Sequence, residues 1–266
     1  MHVIIQADAT AVATRAADMV EATIRSKPHP VIGLAAGATP MALYLELARR
    51  HDAGLDFSTV TVFGLDDYLG LNSNHPASCA LTLRHHLIDR VNLAPSRVHL
   101  LSGQADGDLF ARCEDYENRI AAAGGLDLQI LGLGVNGHIG FNEPGCSLAG
   151  RTRPVALRSS TRATNRPIFS PAEEVPRGGI TMGVATILSA RRILLLATGS
   201  TKAQAVTKAV EGPLTAMVPA SALQLHPDAV MLLDESAASG LAMKDDYKAE
   251  DALLTEITGG IIRERA

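Results

Sequence analysis

The chain has 266 residues and a formal net charge of −4 at pH 7, and 47% of its residues are hydrophobic. This balance excludes a disordered chain and a nucleic-acid-binding protein, and no apolar run reaches the roughly 18 residues that a membrane span needs. The length predicts a single domain over residues 1–266. The three cysteines, Cys79, Cys113 and Cys146, are odd in number and form no CxxC pair. We therefore expect free thiols and a cytoplasmic protein.

Seven short apolar runs recur along the chain, and each suits a buried strand. They occupy residues 2–5, 31–34, 60–64, 98–101, 128–133, 193–197 and 229–232. Segments with helical periodicity lie between most of them, and the first such segment ends at Lys27, before Pro28. Alternating strands and helices predict an α/β fold, a Rossmann-like three-layer sandwich with a mainly parallel central sheet. Ligands of such sheets bind beyond the carboxyl ends of the strands.

The least regular segment covers residues 158–179, with the sequence RSSTRATNRPIFSPAEEVPRGG. Its composition, rich in Arg, Pro and Ser, fits two interpretations. One is a solvated surface loop, and the other is a mobile lid over the site, since long irregular segments of compact domains are often lids. We predict the lid.

Two strand ends are followed by segments suited to an anionic ligand. After the second predicted strand, AAGATP supplies Gly37 for close backbone approach, Thr39 as a helix cap and Pro40 as the first helical residue. After the sixth, residues 200–202 open another helix, where Lys202 opposes the helix dipole unless an anion lies between them. Free N–H groups at a helix N-terminus bind phosphate. The alternative is an ordinary strand-to-helix turn, because neither segment has GxGxxG or Walker spacing.

Two adjacent acids, Asp66 and Asp67, follow the third predicted strand in the sequence LDDYLGL. Neighbouring side chains of an extended segment point in opposite directions, so one carboxylate faces the site while the other is structural. The spacing does not decide which one faces inward. Such pairs are commonly solvated or capping groups, but a strand-end carboxylate beside two phosphate-binding segments also suits a proton-abstracting base.

Residues 131–145, LGLGVNGHIGFNEPG, hold five glycines, His138 and Glu143. Glycines flank the histidine, so little bulk shields it, whereas a structural histidine is usually buried among apolar neighbours. An imidazole titrates near neutrality and shuttles protons, and a nearby carboxylate fixes its tautomer. The remaining histidines are scattered without ligand spacing, so we expect no metal. Together these segments predict proton transfer on a phosphorylated small molecule.

Several ordered segments of the chain resemble the glucosamine-6-phosphate deaminases. They are GLAAGATP, LDDYLGL, HPASC, LGLGVNGHIGFNEPGCSLAGRTR, VPRGGITMGVATIL and GSTKAQAV. The resemblance implies an enzyme of amino-sugar metabolism, a hydrolase that turns glucosamine 6-phosphate and water into fructose 6-phosphate and ammonia. It also implies no metal or organic cofactor and no partner beyond the hexosamine phosphate. Members of the family occur as monomers and as larger assemblies, so a homo-oligomer stays open.

The resemblance also assigns roles to individual residues. Asp66 is implied as the base at C2 of the open-chain sugar, and Asp67, where the family usually has glutamate, supports it. His138 is implied to catalyse ring opening, held in place by Glu143. Asn136 stands where some members have an aspartate that completes a relay, and an amide orients the histidine without accepting its proton.

The phosphate-binding residues implied by the resemblance are Gly37, Ala38, Thr39 and Lys202. Within residues 158–179, Pro167 stands where the family has a phosphate-binding arginine, and we expect Arg166 to replace it. Cys79 stands where many members have a tyrosine near the sugar, and related galactosamine-6-phosphate deaminases can have cysteine there. The galactosamine epimer is therefore an alternative substrate.

Two other functions compete with the deaminase. The 6-phosphogluconolactonases share the fold and a similar phosphate loop, but IGFNEPG follows the histidine here in place of their segment. Some bacterial repressors use related domains as sugar-phosphate sensors and place a helix-turn-helix ahead of them. The early first strand of this sequence favours an enzyme over such a regulator.

Overall fold

The computed structural model describes residues 1–104 and 107–258, and the elements below refer to these residues. The strands, in chain order, are β1 (His2–Gln6), β2 (Val31–Leu34), β3 (Thr61–Gly64), β4 (Asp66–Tyr68), β5 (Val98–His99), β6 (Leu128–Gly132), β7 (Arg153–Ala156), β8 (Gly178–Thr181), β9 (Arg192–Ala197) and β10 (Ala229–Asp234). The α-helices are α1 (Ala9–Ser26), α2 (Ala38–Asp52), α3 (Cys79–His86), α4 (Leu109–Ala122), α5 (Ser159–Asn165), α6 (Val184–Leu188), α7 (Ala203–Val210) and α8 (Lys244–Thr258). Short 3-10 helices cover Ile88–Arg90, Pro95–Arg97, Arg166–Ile168, Ser200–Lys202 and Pro219–Leu225.

Seven strands form the central sheet, in the order β1-β10-β9-β6-β2-β3-β5. All neighbouring pairs in this sheet are parallel. The seven strands are the seven apolar runs that the sequence predicts, with ends that differ by a few residues at most. Strands of a parallel sheet with both faces covered are continuously apolar, which explains why the runs are visible in the sequence. The predicted α/β class with its mainly parallel sheet is confirmed.

Helices cover both faces of the sheet and create two apolar cores. Successive residues of β9 alternate between these cores: Ile193 and Leu195 belong to the core that includes residues of α4 and α7, whereas Leu194 packs in the core of α1 and α2. The alternation follows from the period of two along a strand. The covered sheet accounts for the three layers of the fold.

The first helix illustrates how local sequence sets an element. The Asp8 carboxylate caps α1 by accepting a hydrogen bond from Ala11 N at 2.8 Å. Lys27, the residue before Pro28, is extended and ends the helix, because proline disfavours helical geometry in the residue that precedes it. This end agrees with the sequence analysis.

A second, three-stranded antiparallel sheet in the order β4-β8-β7 was not predicted. In it Asp66 pairs with Thr181, so the strand that carries the candidate base is held by a strand more than a hundred positions later. This sheet surrounds a small apolar core that includes Tyr68, Phe141 and Phe169. The core supports one side of the candidate site.

Residues 158–179 are more regular than the sequence analysis expects. They contain α5, a 3-10 turn over Arg166–Ile168 and the start of β8. The expectation of an irregular segment is therefore wrong for residues 159–168, where a tertiary contact, the hydrogen bond from Asn165 to the Tyr68 hydroxyl, holds the helix that local propensity does not favour. Its mobility as a lid stays a prediction, as does the single domain over 1–266, whose residues 105–106 and 259–266 lie outside the described part.

Candidate active site

A cavity lies at the carboxyl ends of β9, β6, β2 and β3, which are adjacent in the sheet. From β2 the chain proceeds to β3 and β5 on one side, whereas from β6 it proceeds to β9 and β10 on the other. The strand order thus reverses between β2 and β6, and open α/β sheets bind their ligands at this reversal. The cavity measures about 360 Å³, a size suited to a small molecule.

One end of the cavity is formed by the start of α2. Gly37 is the extended N-cap residue, and Ala38 and Thr39 occupy the first turn, all three lining the cavity. The first backbone N–H groups of a helix have no partner within it and therefore attract an anion. The predicted helix start needs a correction: Thr39 is not the cap and Pro40 is not the first helical residue, because α2 begins at Ala38.

Lys202 lines the same cavity and follows directly from β9. It ends a 3-10 turn, and α7 begins one residue later at Ala203, so the predicted helix start at 200–202 is a 3-10 turn. Burial lowers the pKa of the Lys202 ammonium. Across residues 1–104 and 107–258, no carboxylate forms an ion pair with Lys202, so the group is available for an anion.

A glycine and an acid that the sequence analysis does not single out hold the Lys202 loop. Gly199 has a φ of +86°, a conformation that side-chain-bearing residues rarely adopt. Its N–H donates to both carboxylate oxygens of Asp234 at 3.0 Å. Asp234 ends β10, the next strand in the sheet. The position of the lysine thus depends on two neighbouring strand ends.

The two adjacent acids point in opposite directions, as the extended geometry predicts. Asp66 lines the cavity. Asp67 is 3% exposed and accepts hydrogen bonds from Ser78 Oγ at 2.8 Å and from the backbone N–H of Cys79 at 3.0 Å. Burial, and then the charge of Asp67, raise the pKa of Asp66 to about 7. A carboxylate with this pKa is suited to exchange protons near neutral pH.

His138 is connected to Glu143 through Asn136. The Asn136 side chain donates from Nδ2 to Glu143 Oε2 at 3.0 Å, and its Oδ1 lies 2.7 Å from His138 Nδ1. Glu143, 6% exposed, lies behind the cavity and also accepts a hydrogen bond from Arg158 N at 3.1 Å. Because a carboxylate only accepts hydrogen bonds, it must face the NH₂ group of the amide, which leaves the amide oxygen for the histidine.

This amide orientation determines the tautomer of His138. The ring nitrogen facing Asn136 Oδ1 has to be the protonated Nδ1, so the Nε2 lone pair of the neutral ring is free. Burial lowers the pKa of His138; Glu143 opposes this effect and Lys202 adds to it. A lowered pKa favours the neutral imidazole near pH 7, and a neutral imidazole can accept a proton.

The glycines of residues 131–145 make room for the histidine. A Cβ atom on Gly134 would lie 2.2 Å from His138 Cε1, well inside van der Waals contact. The backbone N–H of Gly134 also donates to the carbonyl of His138 at 2.9 Å. A glycine is needed at position 134 because the imidazole packs directly on the backbone there.

Arg166 does not reach the cavity. Its guanidinium donates to the backbone carbonyls of Glu173 at 2.7 Å and Pro171 at 2.9 Å, which closes the turn after α5. The proposed replacement for the missing arginine is thus placed away from the other phosphate-binding candidates. The guanidinium is held by these two backbone carbonyls of its own segment.

Polar residues of α5 line the cavity, although the sequence analysis does not single them out. They are Ser160, Thr161, Thr164 and Asn165. Asn165 donates from Nδ2 to the Tyr68 hydroxyl at 2.7 Å, which links α5 to the strand that carries Asp66. Their spacing of i, i+1, i+4 and i+5 places them on one helical face. That spacing is the signal by which the sequence could have revealed them.

No helix in the described residues is long and apolar enough to cross a membrane. Residues 1–104 and 107–258 also contain no group of three or more His, Cys, Asp or Glu side chains arranged to bind a metal ion. The ionisable side chains that line the cavity are Asp66, Tyr68, Cys79, His138 and Lys202. The expectation that no cofactor is needed stays a prediction.

The parallel sheet and the cavity at its strand-order reversal define a Rossmann-like α/β protein with a small-molecule site. The sequence profile of a family described as glucosamine-6-phosphate isomerases/6-phosphogluconolactonase matches residues 6–232. The chain belongs to this family.

Among curated relatives, a glucosamine-6-phosphate deaminase of Arthrobacter sp. (strain FB24) is 50% identical over 249 residues, which cover 93% of this chain and 95% of the relative. A glucosamine-6-phosphate deaminase of Shewanella loihica is 46% identical over 258 residues, 96% of each chain. Both relatives therefore correspond to this chain over almost its whole length.

Solved structures agree with this relationship. A structure described as a monomeric glucosamine-6-phosphate deaminase aligns with a TM-score of 0.88 at 42% identity, covering 90% of this chain and 100% of that chain. A 6-phosphogluconolactonase from Leishmania guyanensis aligns with a TM-score of 0.72 at 22% identity, covering 91% and 98%. The lactonase shares the fold, whereas the deaminases also share much of the sequence.

Proposed function

We propose that this protein converts glucosamine 6-phosphate and water into fructose 6-phosphate and ammonia by general acid/base catalysis. The observation that carries the proposal is Asp66, a carboxylate whose pKa of about 7 suits a base, in one cavity with the N-terminus of α2 and with the Lys202 ammonium, which pairs with no carboxylate of the described residues. The deaminases at 46% to 50% identity support the same substrate.

The phosphate would bind at the start of α2. The backbone N–H groups of Gly37, Ala38 and Thr39 and the ammonium of Lys202 supply donors and positive charge. Since Arg166 is turned away, the face of α5 that lines the cavity would supply neutral hydrogen bonds where the family has an arginine. Binding at a fixed end of the cavity positions the sugar carbons against Asp66, which raises the effective concentration of the base.

His138 would open the sugar ring. The neutral imidazole accepts the proton of the anomeric hydroxyl on Nε2 and returns it to the ring oxygen, which breaks the bond between C1 and that oxygen. Asn136 and Glu143 act as positioning residues because they hold Nδ1 as the donor and leave Nε2 toward the cavity. The product of this step is the open-chain aldehyde.

Asp66 would then move a proton between neighbouring carbons. It takes the proton from C2, which gives an enolamine, and a proton delivered to C1 gives a ketimine. Water adds to C2 of the ketimine, and ammonia leaves as the ketone forms. Positioned acid/base groups of this kind each contribute roughly 10²- to 10⁴-fold in rate.

The class of the reaction follows from these steps. The proton transfer is an aldose–ketose isomerisation, in agreement with the family description. Release of ammonia consumes water, and only this last step justifies the expected hydrolase label. We also propose a cytoplasmic location, which the free cysteines favour.

The decisive experiment measures ammonia release from glucosamine 6-phosphate and galactosamine 6-phosphate in D₂O. We expect turnover of the glucosamine epimer, deuterium at C1 of fructose 6-phosphate, and loss of both in Asp66→Asn. Asp52→Asn, which changes an exposed aspartate at the end of α2, serves as the matched control and should keep full activity.

Each other outcome has a defined meaning. A preference for galactosamine 6-phosphate would retain the mechanism and replace the substrate. Full turnover by Asp66→Asn would contradict the proton transfer by Asp66, whereas ammonia without deuterium at C1 would mean that Asp66 carries the C2 proton to C1 without exchange with solvent. No ammonia from either sugar, together with hydrolysis of 6-phosphogluconolactone, would replace the deaminase by the lactonase.

A further inference from the structure

A thiol lies beside the proposed base. Cys79, the first residue of α3, lines the same cavity as Asp66. The Cys79 thiol lies beside the Asp66 carboxylate, close enough for the two groups to interact. Cys113 is buried in α4 and Cys146 is half-buried elsewhere, so in the described part of the chain Cys79 is the cysteine that reaches the cavity.

The second acid of the pair fixes the position of Cys79. Asp67 accepts hydrogen bonds from Ser78 Oγ at 2.8 Å and from Cys79 N at 3.0 Å. Ser78 is in turn the N-cap of α3, accepting a hydrogen bond from Leu81 N. A buried carboxylate that caps a helix is held firmly, because both the N–H donors and the helix dipole stabilise it. The Cys79 Cα therefore has little freedom relative to Asp67.

Because Asp66 directly precedes Asp67 in β4, the hydrogen bonds that fix Asp67 also fix the distance between the Cys79 thiol and Asp66. Asp66 and Asp67 share one short strand, held to β8 by the pairs Asp66 with Thr181 and Asp67 with Ile180. The thiol on one side and the strand on the other thus confine the Asp66 carboxylate. An otherwise free carboxylate that lines a cavity rotates among several orientations.

Chemistry gives the thiol a defined effect on its partner. A hydrogen bond donated to a carboxylate favours the ionised form, whereas burial and the Asp67 charge favour the protonated form. Burial and the two aspartates also raise the pKa of the Cys79 thiol itself. The thiol thus keeps its proton and remains a donor throughout the working pH range.

We propose that Cys79 is a positioning residue for Asp66: its thiol donates the hydrogen bond that orients the base toward the cavity, and buried Asp67 holds the thiol in place at the start of α3. The inference rests on the proposed function only in naming Asp66 the base. The hydrogen bond and its effect on the carboxylate are testable without substrate.

The experiment compares Cys79→Ala and Cys79→Ser with the unchanged protein and with Cys113→Ala. Titration of the aspartate carboxyl carbons by ¹³C NMR, with Asp66→Asn to assign the signal, follows ionisation in the unliganded protein. We expect the Asp66 midpoint to rise by about half a pH unit or more in Cys79→Ala, and to stay unchanged in Cys79→Ser, whose hydroxyl also donates. Cys113→Ala, the same deletion in α4, should leave it unchanged.

Kinetics give a second readout. In Cys79→Ala the acid limb of kcat/KM should move to higher pH with the NMR midpoint, and kcat should fall about 3- to 10-fold while KM changes less than about twofold. Cys79→Ser should restore kcat. A residue that only fills space would change KM and stability but would not move the midpoint.

The inference is overturned if Cys79→Ala titrates like the unchanged protein, or if Cys79→Ser and Cys79→Ala shift alike. An NMR shift in Cys79→Ala of a protein that releases no ammonia would support the hydrogen bond and reject the deaminase. A normal deaminase without that shift would keep the proposed function and reject this role of Cys79.

Discussion

Replacing the proposed base should stabilise the folded protein while it abolishes turnover. The pKa of Asp66 rises from 3.8 to about 7, with burial as the largest cause. At about 1.4 kcal/mol for each pKa unit, ionised Asp66 lowers the free energy of unfolding by at most about 4 kcal/mol above pH 7. Because Asp66 lines an open cavity where water screens its charge, we expect roughly half of this, about 2 kcal/mol.

The sign follows from proton binding. A raised pKa means that the folded chain binds the proton more tightly, so the penalty is absent below pH 3.8 and grows as the pH rises to about 7. Asp66→Asn should therefore be more stable than the unchanged protein at about pH 8 and equally stable at about pH 4, as measured by urea unfolding. Asp52→Asn should match the unchanged protein at both values. Equal stability of Asp66→Asn at the higher pH would refute the claim that the cavity desolvates this carboxylate.

Three other changes test the remaining parts of the site. Lys202→Met should raise KM for the sugar phosphate about 10- to 100-fold and weaken inhibition by inorganic phosphate, since a charge-assisted hydrogen bond is lost. Lys208→Met, which changes an exposed lysine of α7, should have neither effect. An unchanged KM in Lys202→Met would show that Lys202 does not bind the phosphate. Gly134→Ala should displace the His138 ring and lower kcat by at least about 10²-fold. Circular dichroism checks that the variant is folded. Full activity of the variant would show that the ring is free to move. Asn136→Asp should raise the pKa of His138 in an NMR titration, because a carboxylate at 2.7 Å stabilises the imidazolium, and a lowered pKa would contradict the assigned tautomer.

The central sheet could be predicted because its physical cause is local. A strand buried on both faces must be continuously apolar, so runs such as residues 31–34 stand out against their surroundings. The small sheet lacks this signal. β4 covers only Asp66–Tyr68, two of its residues are acids, and its partner β8 begins with two glycines. Strands of this kind form because they pair with distant segments of the chain, and local sequence does not encode that pairing.

The sequence predicts which segments and which types of residue form the candidate site. Positions after strand ends indicate which side chains gather, and His138, Asp66 and Lys202 do line one cavity. Side-chain direction was not predictable, because it depends on contacts between distant segments. Asp67 faces away because Ser78 and its neighbour bind it, and no spacing rule states this in advance.

Arg166 also shows that the sequence does not give the direction of a side chain. Arg166 is the neighbour of the position where the resemblance implies a phosphate-binding arginine. Being next to that position carries no information on where the Arg166 side chain points. In the structure Arg166 satisfies carbonyls of its own turn. The resemblance implies an arginine at position 167, but Pro167 fixes its own backbone φ and has no guanidinium, and the side chain of its neighbour Arg166 does not take the implied direction.

The charges of the cavity explain why a neutral amide suits position 136. A carboxylate there would lie next to Glu143 and close to His138, adding a negative charge to a site that already holds Asp66 and has one ammonium, Lys202, to offset a phosphate dianion. It would also stabilise the imidazolium and so lower the fraction of the neutral ring, whose Nε2 lone pair is free. With asparagine, Glu143 fixes the ring through the amide, and its own carboxylate oxygen Oε2 lies 3.8 Å from His138 Nδ1. The imidazole thus remains a neutral proton acceptor, in a cavity that has to admit an anion.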